Sequence, residues 1–201
     1  MSIERRSNDE RSRVTRLALI NAARVLFVDL GYNGSSTPII VQQAKTTRGA
    51  LYHHFPDKKA IFRAVLEREA QEVAQAIVEA ESSAGPLNAL ERLLLGAESY
   101  LKAMQVHGRT RLLLVDGPAI LGAEVLAEIE GPYARYSLQR GLEDLTKDHP
   151  IPVEEREALS EMLSAMFDMA ALHVAEGAAP APYLGAISRL LSGLAAVKNE
   201  S

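Results

Sequence analysis

The apolar positions of this chain recur almost throughout at helical spacing. Between about Ser12 and Leu30, the residues Leu17, Ile20, Ala23, Phe27 and Leu30 step by three, three, four and three, which puts them on one face of a helix. Gly31 closes that helix as a left-handed cap. Ser35-Ser36-Thr37-Pro38 opens a second, short helix, because serine caps free N–H groups and proline is tolerated in a first turn. It runs through Ile39, Ile40 and Val41 to about Gln43. Ala44-Lys45 then connects it tightly to a stretch from Thr46 to Phe55. A fourth helix starts at Asp57 and carries Phe62, Leu66, Ala70, Val73 and Ile77 as its stripe. Pro86 opens a fifth, in which Leu90, Leu93, Leu94, Ala97, Leu101 and Met104 lead to a stop at His107-Gly108. A short apolar segment, Arg109 to Val115, ends at Asp116-Gly117-Pro118. The next helix is predicted from about Ala119 to Lys147, kinked at Gly131-Pro132.

After the stiff His149-Pro150-Ile151-Pro152 linker, a helix from about Val153 to Glu176 has two apolar stripes. One is Leu159, Met162, Met166, Met169 and His173; the other is Leu163, Phe167, Ala170 and Val174. A helix apolar on two sides is covered on both, by its own subunit and by something else. The last helix carries Ile187, Leu190, Leu191, Leu194 and Val197, interleaved with Gly185, Ala186, Gly193, Ala195 and Ala196 that allow close helix approach. The two final helices therefore read as a dimerisation surface, built from Leu163, Phe167, Val174, Ile187, Leu190, Leu191 and Leu194. No strand, repeat or low-complexity tract interrupts the pattern, so the fold class is all-α, with about nine helices expected.

Charge divides the chain in two. Residues 1–63 hold eleven Lys or Arg against five acidic residues, whereas 64–201 hold eleven against twenty-one. A basic head on an acidic body suits a head that meets polyanion. Residues 1–11, polar and arginine-containing, read as a mobile arm. The chain has no cysteine, hence no disulfide or thiolate metal site. With no apolar run of membrane-spanning length and no secretory signal, a cytoplasmic protein is expected.

Thr46-Thr47-Arg48-Gly49-Ala50-Leu51-Tyr52-His53-His54-Phe55 combines hydroxyls, a guanidinium, a phenol and imidazoles without one acidic residue. This is the make-up of a helix that lies on DNA while Ala50, Leu51 and Phe55 anchor its other side. Arg48 can read guanine or lie on phosphate. Thr46 and Thr47 can cap the helix or touch thymine methyls. Gly49 lets the backbone approach the duplex. His53 and His54 diverge by about 100° as helical neighbours and share no metal face; no metal and no cofactor is expected.

Ala22-Ala23, Leu26-Phe27, Gly31-Tyr32, then Arg48-Gly49-Ala50-Leu51-Tyr52-His53-His54-Phe55, Lys58 and Phe62 together resemble the N-terminal domain of the TetR family of bacterial repressors. The resemblance covers roughly residues 14–65. It implies a three-helix helix-turn-helix domain at 1–60 with a basic arm, and a larger ligand-binding and dimerisation domain at 61–201. It also implies that Tyr52 and His53 contact phosphates, joined by Lys58 and Ser36 from neighbouring helix N-termini. Two residues depart from the family pattern. Lys45 stands where the turn usually has glycine, and Ile39 where an acidic residue is common; Lys45 adds positive charge near the groove.

The implied regulatory domain needs a ligand pocket. Its expected walls are Leu101, Met104, Leu113, Ile120, Met162, Met166 and Met169, with His107, Asp116, Tyr133 and His173 as orienting polar groups. The function expected is thus a homodimeric, ligand-responsive regulator, a repressor released from a near-palindromic operator by a small-molecule effector. Its partners would be duplex DNA, an effector and a second copy of itself. The competing readings are a dimeric helical adaptor and a helical enzyme, though the sequence has no nucleophile motif, phosphate loop or paired-histidine metal motif.

Overall fold

The computed structural model describes residues 2–130 and 136–196. Every regular element among the described residues is helical. In chain order they are α1 (Ser2–Gly34), α2 (Thr37–Gln43), α3 (Arg48–His54), α4 (Lys58–Ser83), α5 (Ala89–Met104), α6 (Arg109–Arg111), a π-helical turn (Leu112–Asp116), α7 (Gly117–Leu121), α8 (Ala123–Glu130), α9 (Tyr136–Leu145), α10 (Val153–Ala175) and α11 (Pro180–Ala196).

Local chemistry explains most of these boundaries. Asp57 caps α4 by accepting from the Ala60 N–H at 2.7 Å. Asn88 and Glu91 close a reciprocal capping box on α5, which therefore begins later than an opening at Pro86 would place it. Gly31 does not end α1 but bends it: with φ 72 and ψ 170 it leaves the helical region, and helical turns resume as far as Gly34. At the other end α1 reaches back to Ser2, so the polar arm is helical rather than irregular. No glycine or proline breaks that stretch, and pairs such as Arg13 with Glu10 one turn apart support it.

The segment expected to stop at Asp116-Gly117-Pro118 instead continues as helix. Proline has no N–H to donate, and the chain absorbs it by widening one turn: the Gly117 N–H donates to the Leu112 carbonyl in a π-type bond. A Cβ at Gly117 would lie 2.9 Å from that carbonyl oxygen, so only glycine fits there. The single helix predicted over 119–147 is broken at Gly122, whose φ of 91 is left-handed, between α7 and α8. The predicted kink at Gly131-Pro132 lies outside the described residues.

α5 is the axis of the body, with α4, α9, α10 and α11 all packed on it. One core runs unbroken from Leu19, Phe27, Ile40, Leu51, Phe55 and Phe62 near the N-terminus to Leu101, Met104, Leu112 and Ala170. A second lies between α5, α9, α10 and α11, around Leu93, Leu142, Leu163, Ile187 and Leu191. In the α1 stripe the middle residues are buried, whereas its ends, Leu17 and Leu30, are exposed.

α10 reverses an assignment made from its pattern. Leu163 and Ala170 are buried in their own subunit, and Phe167 and Val174 are partly buried. Met162 and Met169, expected to line a pocket, are instead 64% and 54% exposed, and His173 is exposed too. The same holds on α11, where Ile187 and Leu191 fill the second core and Leu194 packs partly against it. Leu190 points outward. The outward apolar face thus comprises Met162, Ala165 and Met169 on α10 with Ala186, Leu190 and Gly193 on α11. Two faces of one apolar helix look alike in sequence, and only packing against α5 and α9 decides which turns inward.

A candidate nucleic-acid interface

The turn between α2 and α3 is set by the backbone. Ala44 caps α2, the Lys45 N–H donates to the Gln42 carbonyl, and the Thr46 N–H reaches back to the Val41 carbonyl, both at 3.1 Å. This is a Schellman motif, and its left-handed position falls on Lys45, with φ 51. Lys45 is the one non-glycine residue with positive φ among the described residues. A side chain there costs about 1–2 kcal/mol. Lys45→Gly is accordingly expected to raise stability to chemical denaturation by about 1 kcal/mol, while DNA binding weakens because an exposed cation beside α3 is lost.

α3 begins at Arg48, two residues later than the stretch that announced it. Thr47 is its cap, accepting from the Ala50 N–H at 3.1 Å. Leu51 and Phe55 are buried, and Arg16 lies over the Phe55 ring at 5.1 Å from its centroid. The opposite face bears exposed Arg48, Gly49, Tyr52 and His53. The Thr37 hydroxyl and then the Arg48 guanidinium, both beside the Tyr52 phenol, hold its pKa below the usual tyrosine value. Thr37, on α2, thus belongs to the same polar cluster. Sequence reading passed over it, although its place one residue past the Ser36 cap was the available signal. Ser36 is exposed and its side chain makes no capping bond. Lys45 and Thr47 are also exposed, and Thr46 half so.

Gly49 is not required by packing. An added Cβ would come no nearer than 3.9 Å to another protein atom, the Thr47 hydroxyl, and the backbone is right-handed. Alanine there should leave thermal stability unchanged or slightly raised, since glycine within a helix costs roughly 0.5–1 kcal/mol. If this face lies on DNA, affinity for duplex DNA should fall, because the methyl group occupies space at the outer face. Equal losses of both in calorimetry and anisotropy would place Gly49 in the fold instead.

Lys58 is held from behind. Its ammonium donates to the Tyr32 carbonyl at 2.8 Å and sits 4.1 Å from that ring's centroid. The Tyr32 ring packs on Phe27 and Phe62, whose own rings meet edge-on at 5.1 Å. Gly31, Tyr32, Lys58 and Phe62 are therefore one structural unit that fixes the start of α4 against the end of α1. His54 is half-buried; burial first, then the charges of His53 and Arg16, lower its pKa. No group of three His, Cys, Asp or Glu able to hold a metal occurs among the described residues.

The expected pocket residues are not gathered into one site. Leu101, Met104 and Leu113 are buried in the first core, Met166 is partly buried against the second, and His107 is exposed. Tyr133 lies outside the described residues. Asp116 and Ile120 do line an open cleft of ≈ 650 Å³ between the end of α1, the start of α4 and α7, together with Tyr32, Lys59 and Arg111. The Asp116 Oδ2 atom there is buried without a hydrogen bond, with the Arg111 guanidinium 3.3 Å away.

Residues 19–65 match the family described as bacterial regulatory proteins, tetR family, and residues 90–196 match the tetracyclin repressor-like C-terminal domain. The chain belongs to the TetR family of transcriptional regulators. The Transposon Tn10 TetC protein of Escherichia coli is 26% identical over 164 residues, spanning 82% of each chain. The transcriptional repressor BepR of Brucella suis is 34% identical over 85 residues, or 41% of each chain, so that match speaks for part of the molecule. Among solved structures, a TetR-family regulator from Pectobacterium atrosepticum superposes with a TM-score of 0.66 at 27% identity, over 92% of this chain and 94% of that one. A transcriptional regulator from Pseudomonas aeruginosa PAO1 gives 0.76 at 20% identity, over 90% of each, and shares the fold. No described helix is long and apolar enough to cross a membrane.

Proposed function

We propose that this protein is a homodimeric repressor whose two α3 helices enter successive major grooves of a near-palindromic operator, and that a small molecule bound in the body releases it. The observation that carries the reading is the exposed Arg48 and Tyr52 on a helix anchored by Leu51 and Phe55, with half-buried Thr37 of α2 beside them. In this reading residues 1–60 form the DNA-binding head. Arg48 reads base edges, Ser36, Tyr52, His53 and Lys58 hold phosphates, Lys45 adds positive charge near the groove, and Thr46 and Thr47 cap the helix or touch thymine methyls, with Gly49 allowing close approach. Residues 61–201 bind effector and dimerise. The outward face of α10 and α11, with Met162, Met169 and Leu190, supports the dimer, since exposed apolar patches of this kind mark interfaces. The names of relatives such as BepR support repression.

An effector that alters operator affinity does so by a coupling of about 1–3 kcal/mol, or roughly 5–150-fold. A small-molecule panel scored by thermal shift, followed by operator titration, tests it. At least one compound should raise the melting temperature and weaken DNA binding together. Compounds that stabilise the protein but leave operator affinity untouched would contradict ligand control.

A further inference from the structure

One shoulder of α10 is polar where the rest of its outward face is apolar. Ser160, Glu161, Ser164, Ala165 and Asp168 line a groove of ≈ 250 Å³ there. Ser160 is buried, and the Asp168 carboxylate accepts a hydrogen bond from the Tyr100 hydroxyl on α5. Burial pushes the Asp168 carboxyl up from the ordinary aspartate range, against the pull of that hydrogen bond. No cation among the described residues lies within ion-pair distance of Asp168 or Glu161. The groove therefore offers two carboxylates and serine hydroxyls with no counter-charge.

α11 carries the complement. Gly185, Ala186, Leu190 and Gly193 are outward, and Arg189 stands among them, exposed and without an ion pair among the described residues. A Cβ at Gly185 or Gly193 would meet nothing within 4 Å, so their own subunit does not require them to be small. A guanidinium at the centre of an apolar face is costly to cover unless an acid meets it. Within a two-fold dimer any such pairing occurs twice, because both subunits present the same patch.

We propose that the α10 groove receives Arg189 of the partner subunit, a second copy of this chain, so that each dimer is locked by two reciprocal guanidinium–carboxylate pairs onto Asp168, with Glu161 at the rim. This rests on the dimer proposed above and specifies its register. The outward methionines and Leu190 supply apolar area, and the arginine selects one alignment of the two faces.

Two charge reversals, Arg189→Asp and Asp168→Lys, test the pairing by sedimentation equilibrium, each folded state being checked by circular dichroism. Alone, each sets like charges opposite one another at both contacts, and its homodimer should weaken at least about tenfold. Mixed, the two variants restore both pairs, and a heterodimer of near wild-type affinity should form. If Asp168→Lys does not fold, the exposed Glu161→Lys replaces it in the mixture. Reversals that leave dimerisation unchanged overturn the pairing while leaving the dimer intact. Weakened variants that fail to recover on mixing also overturn it, since a pair within one subunit cannot be rescued from another. A wild-type chain that is monomeric at micromolar concentration removes the dimer and the pairing with it.

Discussion

Glu69→Ala should be strongly destabilising, lowering stability by about 3–5 kcal/mol. Glu69 lies on α4 with 1% of its surface exposed and holds two guanidiniums at once. Arg24 on α1 reaches it through Nε at 2.7 Å and Nη2 at 3.1 Å, and Arg109 on α6 through Nε at 2.9 Å. Arg24 also donates to the His107 carbonyl, while Arg109, 4% exposed, donates to the Ala103 carbonyl and to Glu72. Removing the central carboxylate takes from Arg24 its one ion-pair partner among the described residues and leaves the enclosed Arg109 with Glu72 and the Ala103 carbonyl alone. The destabilisation comes from this under-compensated buried charge, more than from a lost attraction.

The same group links stability to pH. Burial pushes the Glu69 carboxyl up, but the hydrogen bonds and charges of Arg24 and Arg109 more than offset this, leaving its pKa below the ordinary value. A depressed carboxylate stabilises the fold above the unfolded-state pKa of about 4.3, and that contribution is lost as pH falls through the folded-state value. Wild-type stability should therefore drop on acidification below about pH 4.3. In Glu69→Gln this part of the dependence should be absent. Urea melts between neutral pH and pH 3 measure both. Equal slopes for the two proteins would mean that Glu69 does not carry the linkage. Because the cluster ties α1 to α4 and α6, its loss should also loosen the head against the body, visible as faster amide exchange at the end of α1.

The second large effect is on recognition. Arg48→Ala should cost about 1–3 kcal/mol of operator affinity and relax preference at one base position. Its stability should match the parent, since Arg48 is exposed and its described contact is with the exposed Tyr52. Lys58→Ala should behave differently, because its ammonium serves the Tyr32 carbonyl and ring as well as any phosphate. It should weaken binding to every duplex alike and lower the melting temperature too, at about 1 kcal/mol. Competition binding against a library of single-base operator variants separates the two patterns. An Arg48→Ala protein that keeps the parent's base preference would move the arginine from base edge to phosphate.

The head was legible because its signals are local. The Pro38 opening, the Asp57 cap and the periodic Leu51 and Phe55 all act within a turn or two of themselves, whereas Gly31 bends α1 instead of ending it and Ser36 makes no side-chain cap. Lys45 departs from the turn's usual glycine, and the chain holds it at φ 51 within the two Schellman hydrogen bonds. Elsewhere the outcome was decided at a distance. Periodicity marks α10 as apolar on two sides but carries no label for which side α5 will cover, so Met162 and Leu163 exchanged places. The π turn at Leu112–Asp116 depends on one backbone bond that no residue pattern announces. Glu69 had a faint signal, an acidic residue beside Leu66 and Ala70 on an apolar stripe, yet its two arginines lie 45 and 40 residues away.

The central claim is that α3 and its surroundings form a sequence-specific DNA-binding surface. Its most direct test is a fluorescence-anisotropy titration of the full chain against a near-palindromic duplex from the DNA flanking its gene and a scrambled duplex, over a series of salt concentrations. The account predicts binding to the palindrome that is about 10³-fold or more tighter than to the scrambled duplex, with log affinity falling steeply and linearly with log salt for both. Equal affinity for the two duplexes, or binding that salt does not weaken, would contradict it.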